Sequence, residues 1–94
     1  MRIKWLRKAL ENLDAEVACV AADNPQAAAD MYVEVMARVG MLPDVPAVGR
    51  PGRVPGTREW VVERFPLLIP YRVMDAEVYI LRVLPTRRRV PSAW

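Results

Sequence analysis

The sequence predicts an α+β fold: a short N-terminal strand, then a two-helix antiparallel hairpin packed on a twisted, mostly antiparallel sheet of about four strands. Three observations carry this expectation. Apolar residues between positions 6 and 39 recur at spacings of three and four, which is the helical period. Residues 57–84 instead form runs rich in β-branched and aromatic side chains. Between these halves, four prolines and three glycines crowd into residues 42–56, a composition that neither helix nor ladder tolerates. With 94 residues, 53% apolar and 27% charged, the chain can close one core, and a single domain over 1–94 is expected.

Each element follows from its residues. Arg2-Ile3-Lys4-Trp5 alternates polar and apolar, as a strand with one covered face does. Leu6, Leu10, Leu13, Val17 and Val20 then fall on one stripe of a first helix. Asp23-Asn24-Pro25 reads as a stop and restart: Asn24 can accept from free amides as N-cap, and Pro25 gives up no needed donor at the first helical position. Ala28, Tyr32, Val35 and Val39 form the stripe of the second helix, with Met31 and Met36 on its flanks and Gly40 placed to end it in a left-handed turn. Residues 57–62, 65–73 and 77–84 read as three further strands, the last two joined by Asp75-Ala76 as antiparallel neighbours. Pro70 removes a ladder donor, so a bulge is expected near it. The tail from Pro85 to Trp94 reads as extended or irregular. Trp5, Trp60, Tyr71 and Tyr79 read as core aromatics.

Composition narrows the chemistry. There is no histidine, so imidazole catalysis and imidazole metal ligation are excluded, and nothing in the chain calls for a metal or a cofactor. The lone Cys19 cannot close an intrachain disulfide. Without a signal segment or an 18-residue apolar run, the expected location is cytoplasmic, with no membrane partner. The net charge of +3 is unevenly spread. Residues 1–48 hold five basic against seven acidic residues, whereas residues 49–94 hold nine arginines against four carboxylates. Arginine's planar fork grips phosphate or carboxylate bidentately, so the second half points to an anionic partner.

The run Gly49-Arg50-Pro51-Gly52-Arg53-Val54-Pro55-Gly56-Thr57-Arg58-Glu59 resembles the RelE/ParE family of type II toxins. Ile69-Pro70-Tyr71-Arg72-Val73, Ile80-Leu81-Arg82-Val83-Leu84, the N-terminal Ile3-Lys4-Trp5 and the Asp23-Asn24-Pro25 junction extend the likeness over nearly the whole chain, in the family's order. The resemblance implies the hairpin-on-sheet fold and a small, acidic, partly disordered antitoxin that wraps the toxin. It also implies one of two targets, since RelE-like members cut messenger RNA on the ribosome and ParE-like members poison DNA gyrase.

RNA cleavage through the substrate's own 2′-hydroxyl needs a base, cations for the developing phosphorane charge and a donor to the leaving oxygen. RelE-like nucleases resemble one another in an arginine three residues before the strand tyrosine. Here that tyrosine is Tyr71 and the matching position is Leu68. Lysines occur only at Lys4 and Lys8, no tyrosine follows Tyr79, and Pro85 stands where many relatives place a histidine. A nuclease built here would have to draw its base from Glu59 and Glu63, which share strand parity, with Arg58, Arg72 or Arg82 clamping phosphate. A gyrase inhibitor needs only a binding surface, for which Arg58, Arg72, Arg82, Arg87, Arg88, Arg89 and Trp94 are the candidates. The absences favour the ParE-like branch, leaving the ribosome-dependent endoribonuclease and a non-toxic, antitoxin-binding co-repressor as alternatives.

Overall fold

In the computed structural model, residues 1–87 and 93–94 are described, and the chain runs β1 (Arg2–Trp5), α1 (Arg7–Ala21), α2 (Pro25–Met41), β2 (Arg50–Pro51), β3 (Arg58–Val62), β4 (Leu67–Met74), β5 (Glu77–Ile80) and β6 (Leu84–Pro85). The strands form one sheet in the order β1-β5-β4-β3-β2, with β6 pairing β4 beside the end of β5. The β1–β5 pair is parallel and the others antiparallel. Two helices on a mostly antiparallel sheet is the expected α+β architecture, with six strands in place of about four.

The register sorts side chains between two faces, because successive residues of a strand point to opposite sides. Ile3 pairs with Val78, Trp5 with Ile80, Ile80 with Tyr71, Trp60 with Ile69 and Val62 with Leu67. These residues share the inner face and pack against Ala9 and Leu13 of α1 and Met31, Val35 and Val39 of α2. The opposite rows, Lys4-Tyr79-Arg72 and Arg50-Glu59-Pro70, make the outer face.

Asn24 caps α2 as expected: its side chain accepts from the Ala27 N–H at 3.0 Å, with Pro25 in the first turn. The helix stripes are rotated from the expected ones. Ala9 rather than Leu10 lies against the sheet, and Met31 is buried where Tyr32, 47% exposed, was expected. Gly40 does not end α2, which runs to Met41 and closes on Leu42 in right-handed conformation. Leu42 is itself fully buried, so staying helical delivers it to the core.

Two strand expectations are corrected and a third is met. The proline-glycine connector does contain a strand, since Arg50 and Pro51 pair with Glu59 and Arg58 at the sheet edge, the one place a proline fits a ladder. The last run breaks after Ile80 and resumes as β6 at Leu84. The bulge expected near Pro70 forms on the side of β4 away from β3: between the Tyr71–Ile80 and Leu68–Leu84 pairs, residues 69–70 face residues 81–83, one residue more, while Pro70 pairs continuously with Glu59 on the β3 side. Its missing donor falls on the side facing the gap between the β5 and β6 pairings, where its own carbonyl accepts only from Leu81 N–H at 3.0 Å. Asp75 and Ala76 both have positive φ, 53° and 59°, the pair of left-handed conformations that a two-residue hairpin turn matched to strand twist requires.

Candidate functional site

The segment 46–59 is built as one hydrogen-bonded unit against β3 and β4. Tyr71, fully buried on the inner face, donates its hydroxyl to the Pro46 carbonyl and accepts from the Gly49 N–H, both at 2.8 Å. Burial pushes the Tyr71 phenol above its ordinary pKa. A side chain at Gly49 would stand 2.7 Å from the tyrosine ring, so only glycine lets the backbone come this close. Arg58 donates to the Gly49 carbonyl at 2.7 Å and the Ala47 carbonyl at 3.4 Å. The far end is closed by Gly52 N–H to the Thr57 carbonyl and by the Thr57 hydroxyl to the Val54 carbonyl.

Glu59 is the keystone of this unit. Its residue is 3% exposed, yet its carboxylate receives Arg53 N–H at 3.0 Å, Arg53 Nε at 2.9 Å, Arg53 Nη2 at 3.2 Å and Arg50 Nη2 at 3.5 Å. Burial alone would raise its pKa. The hydrogen bonds from Arg53 and the charges of Arg53 and Arg50 outweigh burial and hold the carboxyl below its ordinary value. A buried carboxylate whose lone pairs are taken by an arginine fork is a weak base toward a substrate hydroxyl.

The other candidates are dispersed. Glu63 lies just beyond the end of β3, exposed, and lines the same depression as Glu59. Arg72 is exposed on the outer face, paired across the ladder with Tyr79. Glu63 follows Val62, which pairs with Leu67, so Glu63 and Arg72 stand at opposite ends of β4, on the order of 20 Å apart by strand rise. Arg58 is tied to the connector from the inner face. Arg82 donates to the carbonyls of Leu81 and Trp94. Trp94 is half-buried and lies under the Arg53 guanidinium, 6.0 Å from its centroid. Arg87 is exposed, and Arg88 and Arg89 lie outside the described residues. A shallow depression of about 380 Å³ lies between α2 and the open edge of β3, lined by Arg38, Arg50, Glu59, Trp60, Val61 and Glu63. Arg38 spans it, pairing with Glu34 at 3.0 Å and stacking over Trp60 at 5.2 Å.

The structure thus gathers Arg53 and Arg82 around Trp94, brings Glu59 and Glu63 to one depression, and leaves Arg72 far from Glu63. Two residues that sequence reasoning did not select, Arg50 and Arg53, hold Glu59. The signal available was the presence of two arginines across a glycine-proline turn from a carboxylate inside an apolar strand. Tyr79, expected in the core, is on the outer face, where its hydroxyl donates to Glu77 at 3.0 Å. Among the described residues no cluster of histidine, cysteine, aspartate and glutamate could hold a metal ion. No helix there is long and apolar enough to cross a membrane.

Known proteins resemble this chain over most of its length. The candidate toxin Y4kP of Sinorhizobium fredii is 40% identical over 91 residues, covering 97% of this chain and 94% of the relative. A solved structure of the chromosomal ParDE TA system from P. aeruginosa superposes with a TM-score of 0.82 at 34% identity, over 90% of this chain and 95% of that one. The model of the family described as the ParE toxin of the type II toxin-antitoxin system parDE matches residues 3–90. With the hairpin-on-sheet fold in place, that match over nearly the whole chain shows that the protein belongs to the ParE toxin family of type II toxin-antitoxin systems.

Proposed function

We propose that this chain is the toxin of a ParDE-type pair, that it stops growth in the cytoplasm by binding and poisoning DNA gyrase, and that a small, acidic, partly disordered antitoxin neutralises it. The observation that carries the choice of target is the state of Glu59. Its carboxylate is saturated by Arg53 and Arg50 in support of the connector. Glu63 stands at the opposite end of β4 from Arg72, so the two do not form the base and phosphate clamp that a nuclease would draw from these candidates, whereas a gyrase inhibitor needs no titrating group. Family membership supports the same reading. An acidic antitoxin segment that orders on contact suits the arginine-rich second half of the chain.

Induced expression in cells tests the proposal. The expected result is filamentation with DNA breaks before protein synthesis falls, and rescue by the small reading frame encoded next to the toxin. Early arrest of translation with cleaved message would overturn it in favour of the ribosome-dependent endoribonuclease. Harmless expression with promoter repression would instead make the chain a co-repressor.

A further inference from the structure

The centre of the outer sheet face is closed, although both helices pack on the other side. Leu68 and Pro70 point outward from β4, and both are buried. Trp94 is placed to cover them. Its ring lies 6.0 Å from the Arg53 guanidinium, and its carbonyl accepts from Arg82 Nη2. Arg53 is bonded to Glu59, which pairs with Pro70 from the β3 side, and Leu81, next to Arg82, donates to the Pro70 carbonyl from the other side. A residue held by both arginines therefore spans the face at Pro70. It joins the 46–59 connector to the link after β5, two segments that share no ladder pairing.

We propose that Trp94 is a strap that closes over the outer face at Pro70 and opens while the rest of the chain stays folded. The inference goes beyond the gyrase reading and does not rest on it. Closure is weakly held. The separation between ring and guanidinium is at the outer limit of a cation–π contact, and Arg53 Nε and Nη2 are spent on Glu59. The indole Nε1 is buried without a hydrogen-bond partner among the described residues, which favours any state in which water reaches it. Among those residues the Arg82 hydrogen bond is thus the principal tie. Thr86 is fixed separately: its N–H and its hydroxyl both donate to the Pro66 carbonyl, at 2.8 and 3.0 Å, so opening at Trp94 leaves β6 in place. Opening uncovers Pro70 and Leu68 beside Val61, and closure hides them. The contact is therefore autoinhibitory: a group that binds this apolar centre does so only in the open state, at an affinity reduced by the open fraction.

Hydrogen exchange of the purified full chain, read by NMR, tests this by comparing the Trp94 indole N–H with the amide of Val78, which lies in β5 between two paired strands. Intermediate protection is expected at Trp94. After correction for intrinsic rates, its N–H should exchange more slowly than in an unfolded chain and roughly 100-fold faster than the Val78 amide, because local opening frees only the strap. Arg82→Gln should lower Trp94 protection roughly tenfold, the factor of one charge-assisted hydrogen bond, and leave Val78 unchanged. Arg82→Lys, which keeps the charge but loses the fork, carries the same comparison if Arg82→Gln does not fold. An unprotected indole in the wild type would overturn the proposal, since no strap would then be closed. Protection equal to that of Val78 would overturn it too, because opening would then require global unfolding. So would Trp94 protection that survives the Arg82 substitution, or a loss shared equally by Val78, which would make Arg82 a support of the core.

Discussion

Replacing Glu59 with glutamine separates a structural carboxylate from a catalytic one. Glutamine keeps the size of the side chain but offers one acceptor oxygen, and it places an NH2 group against an arginine fork that can only donate. The substitution therefore removes charge-assisted bonds from Arg53 Nε and Nη2, now at 2.9 and 3.2 Å, and leaves polar groups under-paired beside a buried site. Hydrogen bonds to charged groups contribute about 1.5–3 kcal/mol each, and part of this is recovered by the remaining amide oxygen and by water around Arg50, so a net loss of about 2–3 kcal/mol is expected. For a chain of this length that lowers Tm by roughly 10–20 °C. The pH dependence carries a second signature. The native Glu59 carboxyl titrates below its ordinary value near 4.5, so its contribution is complete above that value and disappears as pH falls through the lower, native pKa. Thermal melts of both proteins from pH 7 to pH 3 should show a constant gap down to about 4.5 that narrows below it. A variant within 0.5 kcal/mol of wild type, on the order of a neutral surface change, with a parallel pH profile would refute the keystone role.

Other substitutions probe the same frame. Tyr71→Phe strips the partner from both the Gly49 N–H and the Pro46 carbonyl and should cost about 2–3 kcal/mol, read by chemical denaturation. Gly49→Ala drives a methyl to 2.7 Å from the same immovable ring and should cost about 1–3 kcal/mol or prevent folding, whereas Gly40→Ala, with open space at its position, should be neutral or stabilising. Asn24→Ala removes the cap of α2 and should lower stability by about 1 kcal/mol in the same measurement.

Local chemistry made much of this fold legible. The Asn24-Pro25 junction, the extents of both helices and the positions of β1, β3 and β4 are properties of short windows, and they appear close to where those windows place them. The failures are non-local. A two-residue strand such as β2 has no propensity signature and exists because Arg50 and Pro51 meet β3, and β6 exists because Leu84 meets Leu68. Tyr32 and Met31 are adjacent apolar residues whose order of burial depends on how α2 is rotated over the sheet. The same limit applies to the site. That arginines matter is visible in composition, but which of them hold the chain's own carboxylate and which face solvent depends on the path of the 46–59 connector. Glu59 is an acid-base candidate only because a nuclease on this chain would need a carboxylate, and Arg53, six residues away across a turn, closes over it.

The target is tested most directly by a supercoiling assay with purified chain, gyrase and relaxed plasmid, beside a translation extract probed for cut message. Inhibited supercoiling or trapped linear DNA, with message intact, is the expected result. Unimpaired gyrase together with cleaved message would contradict the account, and would mean that Glu63 and the outer-face arginines assemble into a nuclease only when the ribosome supplies the missing groups.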